Sequence, residues 1–131
     1  MAERVAEPYS WTLLRVVPRV ERGEQLNVGA AVFFRGRDEL RARILVDEVR
    51  LRALDPQIDL DAVRAQLDGL MRVAAGDPAA GRVAGMAAGD RFGFIAAPSS
   101  TIVQASPVHT GLCVEGTEQA LDALLARYVR I

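Results

Sequence analysis

The chain contains no lysine: all 16 of its basic residues are arginine. That excludes a phosphate-loop lysine, a Schiff-base lysine and a lysine general base. It also reads as the mark of a GC-rich bacterial genome. There is one cysteine, so no internal disulfide can form, which fits a reducing compartment. There is one histidine. Together they cannot supply the four nitrogen or sulfur ligands of a structural zinc site. No metal and no cofactor is expected. No run approaches the roughly 20 apolar residues that span a bilayer. The opening M-A-E-R-V-A-E-P has no apolar core, so no signal peptide is expected. The expectation is a cytoplasmic protein with no membrane partner. Net charge is only −1, so no global field draws it to nucleic acid.

What is present is ordinary globular material. Half of the 131 residues are apolar and a quarter charged, enough for one domain over 1–131. Met1 to Pro8 is polar and reads as a loose arm. Tyr9–Val17 is rich in aromatic and β-branched residues and reads as a strand that Pro18 ends. Arg19–Gln25 turns around Gly23. Asn27–Arg35 reads as a second strand, with Val28, Ala30, Val32 and Phe34 on one face and Ala31 and Phe33 on the other. Leu40–Val46 alternates Leu40, Ala42, Ile44 and Val46 against Arg41 and Arg43, a half-buried strand hairpinned to the one before.

The period then changes to 3.6. Asp47 caps a short helix that Asp55-Pro56 stops. Asp59 caps a longer one with Leu60, Val63, Leu67, Leu70, Met71 and Ala74 as its stripe, closed at Gly76. Capping also accounts for the grouped Asp55, Asp59 and Asp61 better than a magnesium site does. Asp77–Asp90 reads as a short helix or an irregular loop. Arg91–Ala97 reads as a short strand with Phe92 and Phe94 on one face. Thr101–Gln104 reads as another strand, and Ser106-Pro107 as a turn or bulge. Thr117 caps a terminal helix whose stripe is Leu121, Leu124, Leu125, Tyr128 and Val129. This order implies an α+β fold: an antiparallel sheet of about four to five strands with helices packed on one face.

Chemistry-bearing residues gather in two places. Ser99–Leu112 holds Ser99, Ser100, Thr101, Gln104, Ser106, Thr110 and the sole histidine, His109. Histidine titrates near neutrality and suits proton transfer. The same hydroxyls equally suit a hydrogen-bonded turn. Arg22, Gly23, Glu24 and Asn27 form the second cluster, either a site or a solvated connection. If the two meet, Arg22, Glu24, Asn27, Gln104 and His109 line one pocket, with Ser106 and Thr110 in support. No catalytic residue is assigned; His109 and Glu24 are the candidates. Cys113 falls about 13 Å from His109 if both lie on a strand, too far for a thiol and its base. Arg35, Arg37, Arg41 and Arg43 could form a phosphate-binding face, yet Asp38 and Glu39 interleave with them and no aromatic platform accompanies them, so nucleic acid is not the expected partner.

Three segments carry a family resemblance: Tyr9–Phe34 with its R-x-E-x-x-N-V-G pattern, L-V-D-E-V-R-L-R-A-L over Leu45–Leu54, and A-P-S-S-T-I-V-Q-A-S-P-V-H-T-G-L over Ala97–Leu112. Together they resemble a bacterial family known as domain of unknown function 3037. Ala105 stands where the family pattern has proline. The resemblance implies no activity. It does imply a genomic neighbourhood shared with HipA-like serine/threonine kinases, and so a partner or regulator of such a kinase. Three readings stay open: a non-enzymatic binding or regulatory module, a small hydrolase or nucleic-acid-processing enzyme using His109 and Glu24, and a nucleic-acid binder. A homodimer also stays open.

Overall fold

β1 (Glu7–Val16) is the strand around which the molecule is organised, because three other strands pair with it. The structure is a computed structural model that describes residues 5–99 and 101–131. The loose arm expected before Tyr9 lies partly outside these residues. Where it is described, Glu7 and Pro8 belong to β1. β2 (Leu26–Phe34) pairs antiparallel with one edge of β1, and β3 (Glu39–Ile44) pairs antiparallel with β2. On the other edge of β1 lie two short strands end to end: β4 (Val103–Ala105) beside its C-terminal half and β5 (His109–Cys113) beside its N-terminal half. Both are antiparallel to it. The result is a five-stranded antiparallel sheet in an α+β fold.

The local signals for the helices after β3 hold. α1 (Glu48–Leu54) starts where the Asp47 carboxylate accepts from Arg50 N. α2 (Leu60–Ala75) starts where Asp59 accepts from Ala62 N, and ends at Gly76 with φ of +69°. These caps satisfy donors and acceptors that helix ends otherwise leave bare. Leu51, Val63 and Leu67 are buried with Leu14, Val16 and Phe33 of the sheet.

Residues 91–97 differ from expectation. Residues 91–96 belong to a helix, α3 (Ala88–Ala96), and not to a strand, with Ala97 as its C-terminal cap. F-G-F imitates a two-residue period, but the buried positions Ala88, Phe92 and Ile95 recur at helical spacing, and Phe94 points outward. Ahead of α3, the glycine-rich stretch forms two single 3-10 turns, Pro78–Ala80 and Arg82–Gly85. Arg91 secures the join: its guanidinium donates to the carbonyls of Val73 and Ala74 at the end of α2, and to that of Met86.

β2 also differs. Its register with β1 slips between Leu14 and Arg15, so Val28 is one residue more than the partner strand can match. This bulge turns Val28 to the face carrying Ala31 and Phe33, and leaves Ala30, Val32 and Phe34 on the other. Both faces of β2 are buried, as its composition implies.

α1, α2 and α3 lie on the Leu14 face, as expected of helices on one side. The terminal helix α4 (Thr117–Tyr128) covers the opposite face, packing Ala120, Leu121 and Leu124 on Leu13, Ala30, Val32 and Phe34. Thr117 does not cap it. The cap position is Gly116, and the buried Thr117 Oγ1 has no partner among the described residues. Replacing a hydroxyl that has lost its water by a methyl of the same shape removes that cost. Thr117→Val is therefore expected to raise stability by about 1 kcal/mol, read as a higher urea midpoint at an unchanged slope.

Candidate functional site

Alternation along β1 sends Tyr9, Trp11, Leu13 and Arg15 to the α4 side of the sheet. The register sets His109 of β5 directly beside Trp11, and their rings stack at 4.5 Å. Tyr128, in the last turn of α4, stacks on Trp11 at 5.4 Å, and the Arg127 guanidinium lies 5.5 Å from the Tyr128 ring. One position along, Tyr9 stacks on Phe34 at 5.0 Å, and Arg37 lies over Phe34 at 4.0 Å. Gly111 faces Tyr9 across the strands, and a Cβ there would come within 3.1 Å of the phenol ring, so glycine lets that ring lie over β5. The only tryptophan, both tyrosines and the only histidine thus share one side of the sheet.

Burial holds the Tyr9 hydroxyl's proton beyond the usual tyrosine range, with Cys113 and Tyr128 adding to the effect. A folded-state pKa raised above the unfolded value gives stability that is complete below the unfolded value and lost as pH rises through the folded one. Above pH 10, stability is expected to decline, with Tyr9 ionising after the free phenol would. Phenolate absorbance should show that late step in the wild type and lose it in Tyr9→Phe.

A polar row crosses the same face at the far end of β1. Arg15 lies opposite Asn27 on β2 and Gln104 on β4. Arg15 Nε donates to Asn27 Oδ1 at 3.2 Å. Asn27 Nδ2 donates to the Tyr128 carbonyl at 3.0 Å, which fastens the end of α4 to the sheet and holds Tyr128 over Trp11. Gln104 turns its amide back to the Thr101 carbonyl.

The other candidates fall elsewhere. Ser106 is buried at the junction of β4 and β5. Its Oγ accepts from Leu13 N at 2.8 Å and lies 3.1 Å from the Thr12 hydroxyl, while Thr12 Oγ1 donates to the Ser106 carbonyl. It splices the two short strands onto β1. Thr110 is exposed beside Ser10, on the face opposite His109. Arg22 and Glu24 pair with each other at 2.5 Å on the exposed connection before β2. That hydrogen bond lowers the Glu24 carboxyl pKa and raises that of Arg22. Glu24 leads into Leu26, opposite Val16, whereas His109 is opposite Trp11. Five residues of strand separate those positions, about 17 Å. The structure therefore brings Asn27 and Gln104 to Arg15 and His109 to Trp11, and leaves Arg22 and Glu24 apart from both groups.

The polar run Ser99–Leu112 is largely occupied with its own backbone. Ser99 Oγ and Thr101 Oγ1 lie 2.8 Å apart, and Thr101 Oγ1 caps the Val103 carbonyl. Ser100 lies outside the described residues. This run edges a groove of about 500 Å³ between α2, α3 and β4, walled by Leu70, Val73, Phe94, Ile95 and Val103. Three of the four hairpin arginines are ion-paired: Arg37 with Glu7 and Glu39, Arg41 with Glu39, and Arg43 with Glu118 and Asp122 on α4, while Arg35 is exposed. Among the described residues, no helix is long and apolar enough to cross a membrane.

Trp11, Tyr128, Arg15 and Arg127 are missing from the sequence-derived set. The alternation of Tyr9, Trp11, Leu13 and Arg15 was the available signal. Its meaning depends on β5 and α4, which arrive about a hundred residues later. Compared with known proteins, the chain matches over residues 11–129 a family described as protein of unknown function (DUF3037). No curated protein and no solved structure matches it.

Proposed function

The chain belongs to the DUF3037 family, and we propose that it is a non-enzymatic binding module whose contact surface is the aromatic face around Trp11. The observation that carries this reading is the stack of His109, Trp11 and Tyr128 with Arg127 at its end. Half-buried tryptophan and tyrosine bring large area at small cost in side-chain entropy, and with arginine they dominate the energetics of protein interfaces. Here the rings are held in place before any partner arrives, which lowers the cost of binding. The Asn27–Tyr128 bond and the glycine at 111 are part of that preorganisation. The hydrolase reading would need His109 and Glu24 at one centre, and Glu24 is engaged with Arg22 on the connection that enters β2 at Leu26, a position about 17 Å along the strand from His109. The nucleic-acid reading would need an uninterrupted face of free arginines on the hairpin, and three of the four, Arg37, Arg41 and Arg43, are neutralised in pairs.

The partner we propose is a protein, and the family resemblance makes a HipA-like kinase from the same genome the first to try. Titration calorimetry against that kinase is expected to show binding. Trp11→Ala should weaken it by about 30-fold or more, the loss typical of a central aromatic anchor. Circular dichroism on the variant checks that the sheet is kept. Unchanged affinity in folded Trp11→Ala would remove this surface from the interaction.

A further inference from the structure

The two edges of the sheet are built differently. The β3 edge carries Glu39, Arg41 and Arg43, a row of charges that discourages another strand from adding. The β4–β5 edge carries none. From Phe92 to Val114 the chain has no Asp, Glu or Arg, and His109 is its only ionisable side chain apart from Cys113. Three large apolar side chains stand out along this edge: Val108 at 47%, Leu112 at 72% and Val114 at 52% exposure.

The backbone of β5 is also open. Pro8 lies opposite Leu112, and proline has no N–H to give. The pair Pro8–Leu112 is therefore a non-hydrogen-bonded one, as is the next pair of the same parity, Ser10–Thr110. Thr110 and Leu112 accordingly turn their N–H and C=O groups away from β1. Among the described residues nothing receives them. On β4, by contrast, the Val103 carbonyl is covered by the Thr101 hydroxyl.

We propose that β5 pairs antiparallel with β5 of a second copy, about a two-fold axis at Gly111. In this register Thr110 and the second copy's Leu112 exchange both backbone hydrogen bonds, and the symmetric pair does the same. The flanking Val108 falls opposite the second copy's Val114, so every exposed apolar side chain of the edge meets one from the other copy or the methyl of Thr110. The close, non-hydrogen-bonded pair at the axis is glycine on glycine. No like charges oppose each other, since Glu115 falls opposite the second copy's Pro107. The two sheets become one of ten strands, with an isologous contact, the usual form for a homodimer. A strand pair this short lies at the small end of specific interfaces, so the dimer is weak, with a dissociation constant on the order of 10–100 µM.

Sedimentation velocity of the protein alone, from 1 to 500 µM, is expected to show a reversible monomer–dimer equilibrium. Leu112→Arg, at an exposed site, should stay folded and weaken association by about tenfold or more through like charges across the axis. The register has its own test. His109 falls opposite the second copy's Cys113 in a close, non-hydrogen-bonded pair, within disulfide reach. Two copies of Cys113 lie about 13 Å apart along the strands. Under mild oxidation, His109→Cys should trap a covalent dimer and the wild type should not. A monomer at every concentration would overturn the proposal, as would a dimer indifferent to Leu112→Arg or a wild-type disulfide. Because the protein is measured alone, none of these outcomes depends on whether the Trp11 surface binds a partner.

Discussion

Gly29→Ala is expected to destabilise the protein by about 3 kcal/mol or more, enough to leave a marginal domain largely unfolded. Gly29 sits on β2 between Leu14 of β1 and Ile44 of β3, next to the bulge at Val28. A Cβ built there would lie 2.5 Å from the Arg43 carbonyl oxygen and 3.1 Å from the Ile44 side chain. The first obstacle is backbone. Relief requires β3 to move away, and moving it also pulls on the Arg43 ion pairs that hold α4 down. Urea unfolding gives the answer directly. An unfolding free energy within about 0.5 kcal/mol of wild type would mean that the strands are not this close.

Ser106→Ala is the second large effect, expected at about 2–3 kcal/mol. It leaves Leu13 N, buried in the middle of the sheet, without its acceptor, and removes one of the Thr12 hydroxyl's partners. The remedy is equally specific. Thr12→Val in the same chain takes away a second polar group, so the double variant should lose less than the sum of the two single losses. This experiment also decides what kind of residue Ser106 is. A structural splice costs stability and leaves the affinity of the folded fraction unchanged. A contact residue would do the reverse.

These two residues show where sequence reasoning stops. Asp47, Asp59 and Gly76 were readable as helix ends because each acts on backbone within three or four positions. The alternation in β3 was readable because its charged face meets solvent and the end of one helix. Nothing local marks Gly29 as a crossing point, since the atom that forbids a side chain belongs to Arg43. The bulge at Val28 was equally hidden: both faces of β2 are apolar, so a slip of one residue leaves no polar side chain on the wrong side. In α3, the phenylalanines at 92 and 94 match a two-residue period, whereas the helical repeat runs through Ala88, Phe92 and Ile95, and it is Phe92 alone that packs on Phe33. The candidate site divided in the same way. His109 and Asn27 were visible as unusual residues in an apolar chain. That Asn27 serves Tyr128, and His109 serves Trp11, depended on which strand lies beside β1.

The place of β1 bears on how the chain is made. It precedes the other four described strands in the chain, yet one of its edges waits for residues 103–113. At about 5–20 residues per second, that wait lasts on the order of 5–20 s. Until then the pairing partners made so far are β2 and β3 only, so that edge of β1 stays uncovered, and neither Trp11 nor Leu13 has α4 above it. A nascent chain in that state offers the kind of open strand that recruits others like itself. The later, uncharged run from 92 to 114 closes that edge. Any truncation before it would leave that edge of β1 permanently open while β2 still pairs with the other.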